Sequence, residues 1–130
     1  MKRLLDTNAY VALKRDHAGV VAIVRESTEI AFSMIVIGEL LFGFRNGARF
    51  DRNARDLEAL LSNQRVMVLA VTRTTADRFG RIAAALRKAG TPIPSNDIWI
   101  AAHALESGGE LVTFDRHFAA VPGLAWVCPS

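Results

Sequence analysis

Four carboxylates in this chain stand where an acid is out of place. Asp6 directly follows the apolar pair Leu4-Leu5, and Glu39 interrupts Ile35-Val36-Ile37-Gly38-Glu39-Leu40-Leu41-Phe42. Asp97 opens a stretch that continues as Ile98, Trp99 and Ile100, and Asp115 stands two residues after Leu111-Val112-Thr113. Three of them have a structural reading: Asp6 could cap a helix, Asp97 could favour a helix N-terminus, and Asp115 could start a turn. Glu39 resists that treatment. No Lys or Arg lies within one helical turn of it, and a carboxylate buried alone must be paired, protonated or metal-bound. The other nine acids fall on outer helix faces or in turns, where solvation accounts for them.

If the four met, they would repel one another by roughly 3 kcal/mol per pair, taking about 5 Å and an effective dielectric near 20. Such a cluster stays ionised only with a cation in its midst. An all-oxygen site of carboxylates and water suits Mg²⁺ or Mn²⁺. Zinc is disfavoured, because the single Cys128 and the scattered His17, His103 and His117 lack zinc-ligand spacing. A carboxylate-held divalent ion points to phosphoryl chemistry, in which the ion stabilises attacking and leaving oxygens and activates water. No histidine is needed as a base. His17 falls in a polar turn, His103 in an Ala-rich helix and His117 at the turn after Asp115.

The cations suggest the substrate. The chain carries 16 basic and 13 acidic residues, a mild excess, but Arg45 to Lys88 holds ten basic against four acidic. Thirteen of the cations are Arg, whose forked guanidinium suits phosphate. A long polyanion bridging the metal and an Arg-rich face fits this better than a small phosphate ester.

The acids can meet only if the chain's elements bring them together. The pattern predicts strands at Arg3–Leu5, Ile30–Met34, Val66–Val71, Leu111–Thr113 and Leu124–Cys128. Helices are predicted over Ala9–Leu13, Ala18–Arg25, Val36–Phe44, Asn53–Leu61, a stretch capped by Thr74 or Thr75 and ended by Gly90, and Asp97–Glu106 capped by Asn96. Val36–Phe44 is apolar almost all round and is expected to be buried. Phe79, Ile82, Ala83 and Leu86 form the inner stripe of the fifth helix, with Arg81 and Lys88 facing away and Arg78 on the flank. Alternating helices and continuous apolar strands are the signature of a parallel sheet covered on both faces. Ligands of such sheets bind beyond the carboxyl ends of the strands, where strand order reverses. Asp6 and Asp115 sit at carboxyl ends, Asp97 at a helix start facing that edge, and Glu39 in the helix after the second strand.

Length and composition bound the rest. At 130 residues, 51% apolar and 22% charged, the expectation is one domain over residues 1–130 and neither disorder nor coiled coil. The longest apolar stretch, Ile30 to Phe44, is too short to span a membrane and contains Glu39. Asp6 breaks any signal-peptide core that Lys2 and Arg3 could introduce. The expectation is a soluble cytoplasmic protein without an internal disulfide.

Leu5-Asp6-Thr7-Asn8, the isolated Glu39, Ile93-Pro94-Ser95-Asn96-Asp97-Ile98-Trp99-Ile100-Ala101-Ala102 and Leu111-Val112-Thr113-Phe114-Asp115-Arg116-His117-Phe118, in this order, resemble a PIN-domain ribonuclease. The length and the Pro122-Gly123-Leu124 ending are similar to the VapC toxin branch. The resemblance implies a PIN-like three-layer α/β/α fold with a central parallel sheet of about four to five strands. It implies a divalent-metal-dependent endoribonuclease using Mg²⁺ or Mn²⁺, a homodimer, and a VapB-type antitoxin through which any DNA contact would pass. Asp6, Glu39, Asp97 and Asp115 match the acidic quartet, and Thr7, Asn8, Asn96 and Thr113 its supporting polar positions. Arg78, Arg81 and Lys88 are the candidate RNA contacts. Phe114 departs from the pattern, since many relatives carry a polar residue there.

Other readings are a housekeeping RNA-processing nuclease, a small-ester phosphatase, a receiver-like signalling module, and an RNA-binding protein with a dead site. The phosphatase reading lacks an Asp-x-Asp pair, because Thr7-Asn8 follows Asp6. The receiver reading lacks an acid after Leu69-Ala70-Val71-Thr72 and any Lys after Lys88.

Overall fold

A computed structural model describes residues 1–130 throughout. Five strands form one parallel sheet: β1 (Lys2–Leu5), β2 (Glu29–Ser33), β3 (Val66–Leu69), β4 (Glu110–Val112) and β5 (Trp126–Val127). Six α-helices flank it: α1 (Thr7–Lys14), α2 (Ala18–Glu26), α3 (Met34–Arg45), α4 (Phe50–Leu61), α5 (Arg73–Ala89) and α6 (Ser95–Ser107). A short 3-10 turn, Arg116–Ala120, precedes β5. The spatial order is β3-β2-β1-β4-β5. The chain builds outward from β1 to β3, then crosses back to place β4 on the other side of β1. The order therefore reverses between β1 and β4, and the crevice expected of such sheets lies beyond their carboxyl ends.

Three inner strands are buried on both faces, which is why they read as unbroken apolar runs. Leu4, Leu5, Ala31, Phe32, Leu111 and Val112 are essentially inaccessible and anchor the core with Val36, Leu86, Ile100 and Phe118. His103 is a satisfied core histidine. Its Nδ1 lies 2.8 Å from Ser33 Oγ and its Nε2 3.0 Å from the Ala70 carbonyl, tying α6 to the ends of β2 and β3.

Several element boundaries differ from the sequence reading, each for a local reason. The third strand stops at Leu69, and as an edge strand it leaves Met67 and Val68 exposed, with Val71 beyond it. Helix α5 is capped by Thr72 rather than Thr74 or Thr75. Thr72 Oγ1 accepts from the Thr75 amide and Thr75 Oγ1 accepts from the Thr72 amide, satisfying two free donors at once. Helix α6 begins at Ser95 after Pro94, so Asn96 lies inside the helix and does not cap it.

Helix α3 is the largest departure. It was expected to be buried all round, yet Met34 (47%) and Phe42 (69%) are exposed, and Gly38 between them faces open space. Only Val36, Ile37 and Leu40 are fully buried, with Ile35, Leu41 and Phe44 packed against the core at its margin. One apolar strip of the helix is thus left without a partner within the chain. No helix is long and apolar enough to cross a membrane.

Candidate active site

Three of the four unusual acids are placed by the start of a helix or turn at the carboxyl edge, and Glu39 lies within α3. Asp6 leaves β1 and caps α1, its Oδ1 accepting from the Ala9 amide at 2.9 Å. Asp97 lies in the first turn of α6, where the helix N-terminus favours a negative charge. Asp115 caps the 3-10 turn, accepting from the His117 amide at 2.9 Å. The structural readings of these three therefore hold, and those same helix and turn starts bring the acids together.

Polar neighbours fix the carboxylates. The Thr113 hydroxyl donates to Asp6 Oδ2 at 2.5 Å while accepting from the Asp115 amide at 3.0 Å, so a single side chain couples the ends of β1 and β4. The Thr7 hydroxyl donates to Glu39 Oε1 at 2.6 Å, and Asn96 Nδ2 donates to Glu39 Oε2 at 3.2 Å. From its place inside the first turn of α6, Asn96 turns its side-chain amide toward Glu39. Glu39 is half-buried rather than sealed in the core. Asn8 makes no hydrogen bond to the acids; it is exposed and lines an adjacent groove.

No Lys or Arg pairs with any of the four. Burial first, then the charges of Asp115, Glu39 and Asp6, push the Asp97 carboxyl up to about 6, with His117 pulling the other way. Asp6, only 7% exposed, is also raised by burial and by Asp115 and Glu39, against the lowering effect of its hydrogen bonds. Asp97 thus senses all three of its fellows. Asp97, Asp115 and His117 each offer one ligand atom, and these lie within 4.8 Å of one another. His117 is absent from the sequence-derived set. Its Nδ1 lies 3.0 Å from Asp115 Oδ1, and its spacing of two residues from a turn-capping Asp was the available signal.

Arg78, Arg81 and Lys88 lie apart from this cluster. Arg78 and Arg81 line a hollow with Leu105 and Pro122, Arg81 pairs with Asp77 at 3.0 Å, and Lys88 is in the last turn of α5.

Residues 3–124 match the PIN domain family. The chain belongs to it. Ribonuclease VapC1 of Haemophilus influenzae (strain R2866) is 30% identical over 128 residues, covering 95% of this chain and 94% of that protein. Among solved structures, VapBC2 from Rickettsia felis, bound to a DNA fragment from its promoter, superposes with a TM-score of 0.87 at 26% identity over the full length of both chains. VapBC-1 from nontypeable H. influenzae gives 0.85 at 30% identity, covering 98% of this chain and 97% of that one. The parallel sheet and the order of its elements are those of a PIN domain, and an acidic cluster able to hold a divalent cation sits at its switch point.

Proposed function

We propose that residues 1–130 act as one PIN-like unit, a divalent-metal-dependent endoribonuclease that is the toxin of a type II toxin–antitoxin pair. Asp6, Glu39, Asp97 and Asp115 hold Mg²⁺ or Mn²⁺, directly or through water, and His117 orients Asp115. The observation that carries this reading is Asp97, pressed by three other carboxylates with no Lys or Arg paired to any of them and only His117 acting against them. An oxygen-rich donor set of this kind suits a hard divalent ion.

When bound, the ion supplies charge stabilisation at the phosphodiester oxygens and makes water a better nucleophile. The protein's own part is positional. Thr113 keeps Asp6 and the Asp115 loop in register, while Thr7 and Asn96 aim Glu39 at the same crevice. The PIN match and the ribonuclease relatives support RNA as the substrate and disfavour a receiver-like module.

The structural neighbours are VapBC complexes, which supports a VapB-type antitoxin as partner and DNA contact through that antitoxin alone. The exposed strip of Met34 and Phe42 flanks a groove of about 640 Å³ that also holds Thr7, Glu39 and Asn96. An apolar surface beside the acids suits an inhibitory protein segment or a second copy of the chain in a homodimer. The setting proposed is the cytoplasm, where RNA is available.

The test is Asp97→Asn. RNA cleavage is expected to fall by at least about 10³-fold with an unchanged circular dichroism spectrum. Chelation of divalent ions should silence the wild type, and Mg²⁺ or Mn²⁺ should restore it. Full RNase activity in Asp97→Asn, purified free of contaminating nucleases, overturns the assignment.

A further inference from the structure

The acidic cluster adjoins a groove of about 440 Å³ lined by Asn8, Val11, Ala12, Arg15, His17 and Phe114. Both of its rims are chained to the acids. Phe114 lies between Thr113, which holds Asp6, and Asp115, while Asn8 follows Thr7, which holds Glu39. The connection from α1 to α2 is only Arg15-Asp16-His17. Asp16 adopts a left-handed conformation (φ 58°), which Asp tolerates better than most residues, and the turn delivers Arg15 and His17 to one groove. His17 Nδ1 accepts from the Val20 amide at 3.3 Å, so the ring proton sits on Nε2 as a donor.

Phe114 meets His17 edge-to-face, with centroids 5.2 Å apart and planes at 72°. Such a contact covers at most one face of the phenyl ring. Beyond Val11 and Arg15 the groove continues into a hollow of about 530 Å³ that holds Lys14, Arg49 and Arg52. Lys14 is 3.9 Å from Asp56, but Arg15, Arg49 and Arg52 have no carboxylate within ion-pair distance. An aromatic face, an amide, a fixed N–H donor and unpaired guanidiniums, in sequence from the acids outward, match a single strand's base and the phosphates that follow it. The hollow at Arg78 and Arg81 has no aromatic side chain, and Arg81 is already paired.

We propose that this groove is a nucleobase subsite, in which Phe114 stacks a base next to the scissile phosphate and Arg15, Arg49 and Arg52 carry the adjoining backbone. The inference rests on the ribonuclease reading, and it moves the RNA track from α5 to α1 and α4. It also gives Phe114 a role in choosing the cleavage site, since an aromatic platform holds a base where a small polar side chain would not.

The test uses Asp97→Asn as an uncleaving parent and measures binding of a short single-stranded RNA and of inorganic polyphosphate. Adding Phe114→Leu should weaken RNA binding about tenfold and leave polyphosphate unchanged, and Phe114→Trp should restore RNA binding. Adding Arg15→Ala with Arg49→Ala should weaken both ligands, whereas Arg81→Ala should weaken neither. If the wild type cuts RNA but Phe114→Leu binds it within twofold of the parent, the subsite alone is overturned. The same holds if Phe114→Leu weakens capture of the antitoxin and not of RNA, for the groove then docks protein. If the wild type cuts no RNA, the proposed function falls and the subsite with it.

Discussion

The two ends of the sheet treat their charges in opposite ways. At the amino edge, acids and cations are matched: Arg3 lies 2.9 Å from Glu110 and 3.1 Å from Glu26, and Lys2 lies 3.6 Å from Glu29. Strand register makes this possible, since Lys2 faces Glu29 and Arg3 faces Glu110 on neighbouring strands. At the carboxyl edge Asp6, Glu39, Asp97 and Asp115 gather with no Lys or Arg among them. One edge completes its electrostatics from within the chain, and the other leaves room for a charge from outside. A fold that neutralises acids at one end and not at the other has the imbalance that the proposed cation site requires.

The contrast breaks most severely at Arg3. Its side chain is 11% exposed and also donates to Ser27 Oγ and the Ile23 carbonyl. Arg3→Met should cost about 3 kcal/mol of stability in urea unfolding, because it strands a largely buried Glu110. Equal stability in the variant would show that the amino edge is not held by these pairs.

A slightly smaller effect sharpens the other side. A divalent cation at 100 times its Kd should stabilise the wild type by about 2.7 kcal/mol, read as a rise in Tm on adding Mg²⁺ or Mn²⁺. Asp97→Asn should lose most of that rise, and Arg3→Met, though weaker overall, should keep it. A metal-induced rise that survives Asp97→Asn unchanged would place the cation elsewhere.

The carboxyl-edge half of this contrast was legible in the residues, whereas Glu29 and Glu110, read as solvated acids of helix faces or turns, lie on strands and pair with Lys2 and Arg3. Runs such as Leu4-Leu5 and Leu111-Val112 announced buried strands, and the acids after them were conspicuous because burial punishes a lone carboxylate. What escaped was whatever depended on a partner far along the chain. Asn96 reads as a cap, but the helix already starts at Ser95, and its amide instead meets Glu39, 57 residues away. Helix α3 reads as fully buried because apolarity alone does not tell a core from an unpartnered surface. The structural reading of Asp6, Asp97 and Asp115 holds, and it is compatible with their meeting at one edge. Asp6 and Asp115 cap the helix and the turn that follow β1 and β4 at one edge of the parallel sheet, and Asp97 joins them there from the first turn of α6.

The smallest effect tests the imbalance without any metal. Asp97 has an ordinary carboxyl value of 3.8 when exposed and about 6 in the folded protein, raised by burial and then by Asp115, Glu39 and Asp6. Because the folded state holds that proton more tightly, the contribution to stability is complete below about pH 4 and is lost as pH rises through 6. At pH 8 the chelated protein bears an ionised Asp97 amid three other acids. Asn cannot ionise, so Asp97→Asn should be more stable than the wild type at pH 8 and no more stable at pH 4. A shift of this size would be worth close to 3 kcal/mol in a sealed site, but solvent screening at a half-open one leaves about 1 kcal/mol. Urea unfolding in chelator at the two pH values measures the difference. A gain of the same size at both would trace to packing, and the carboxyl edge would then be no less balanced than the amino one.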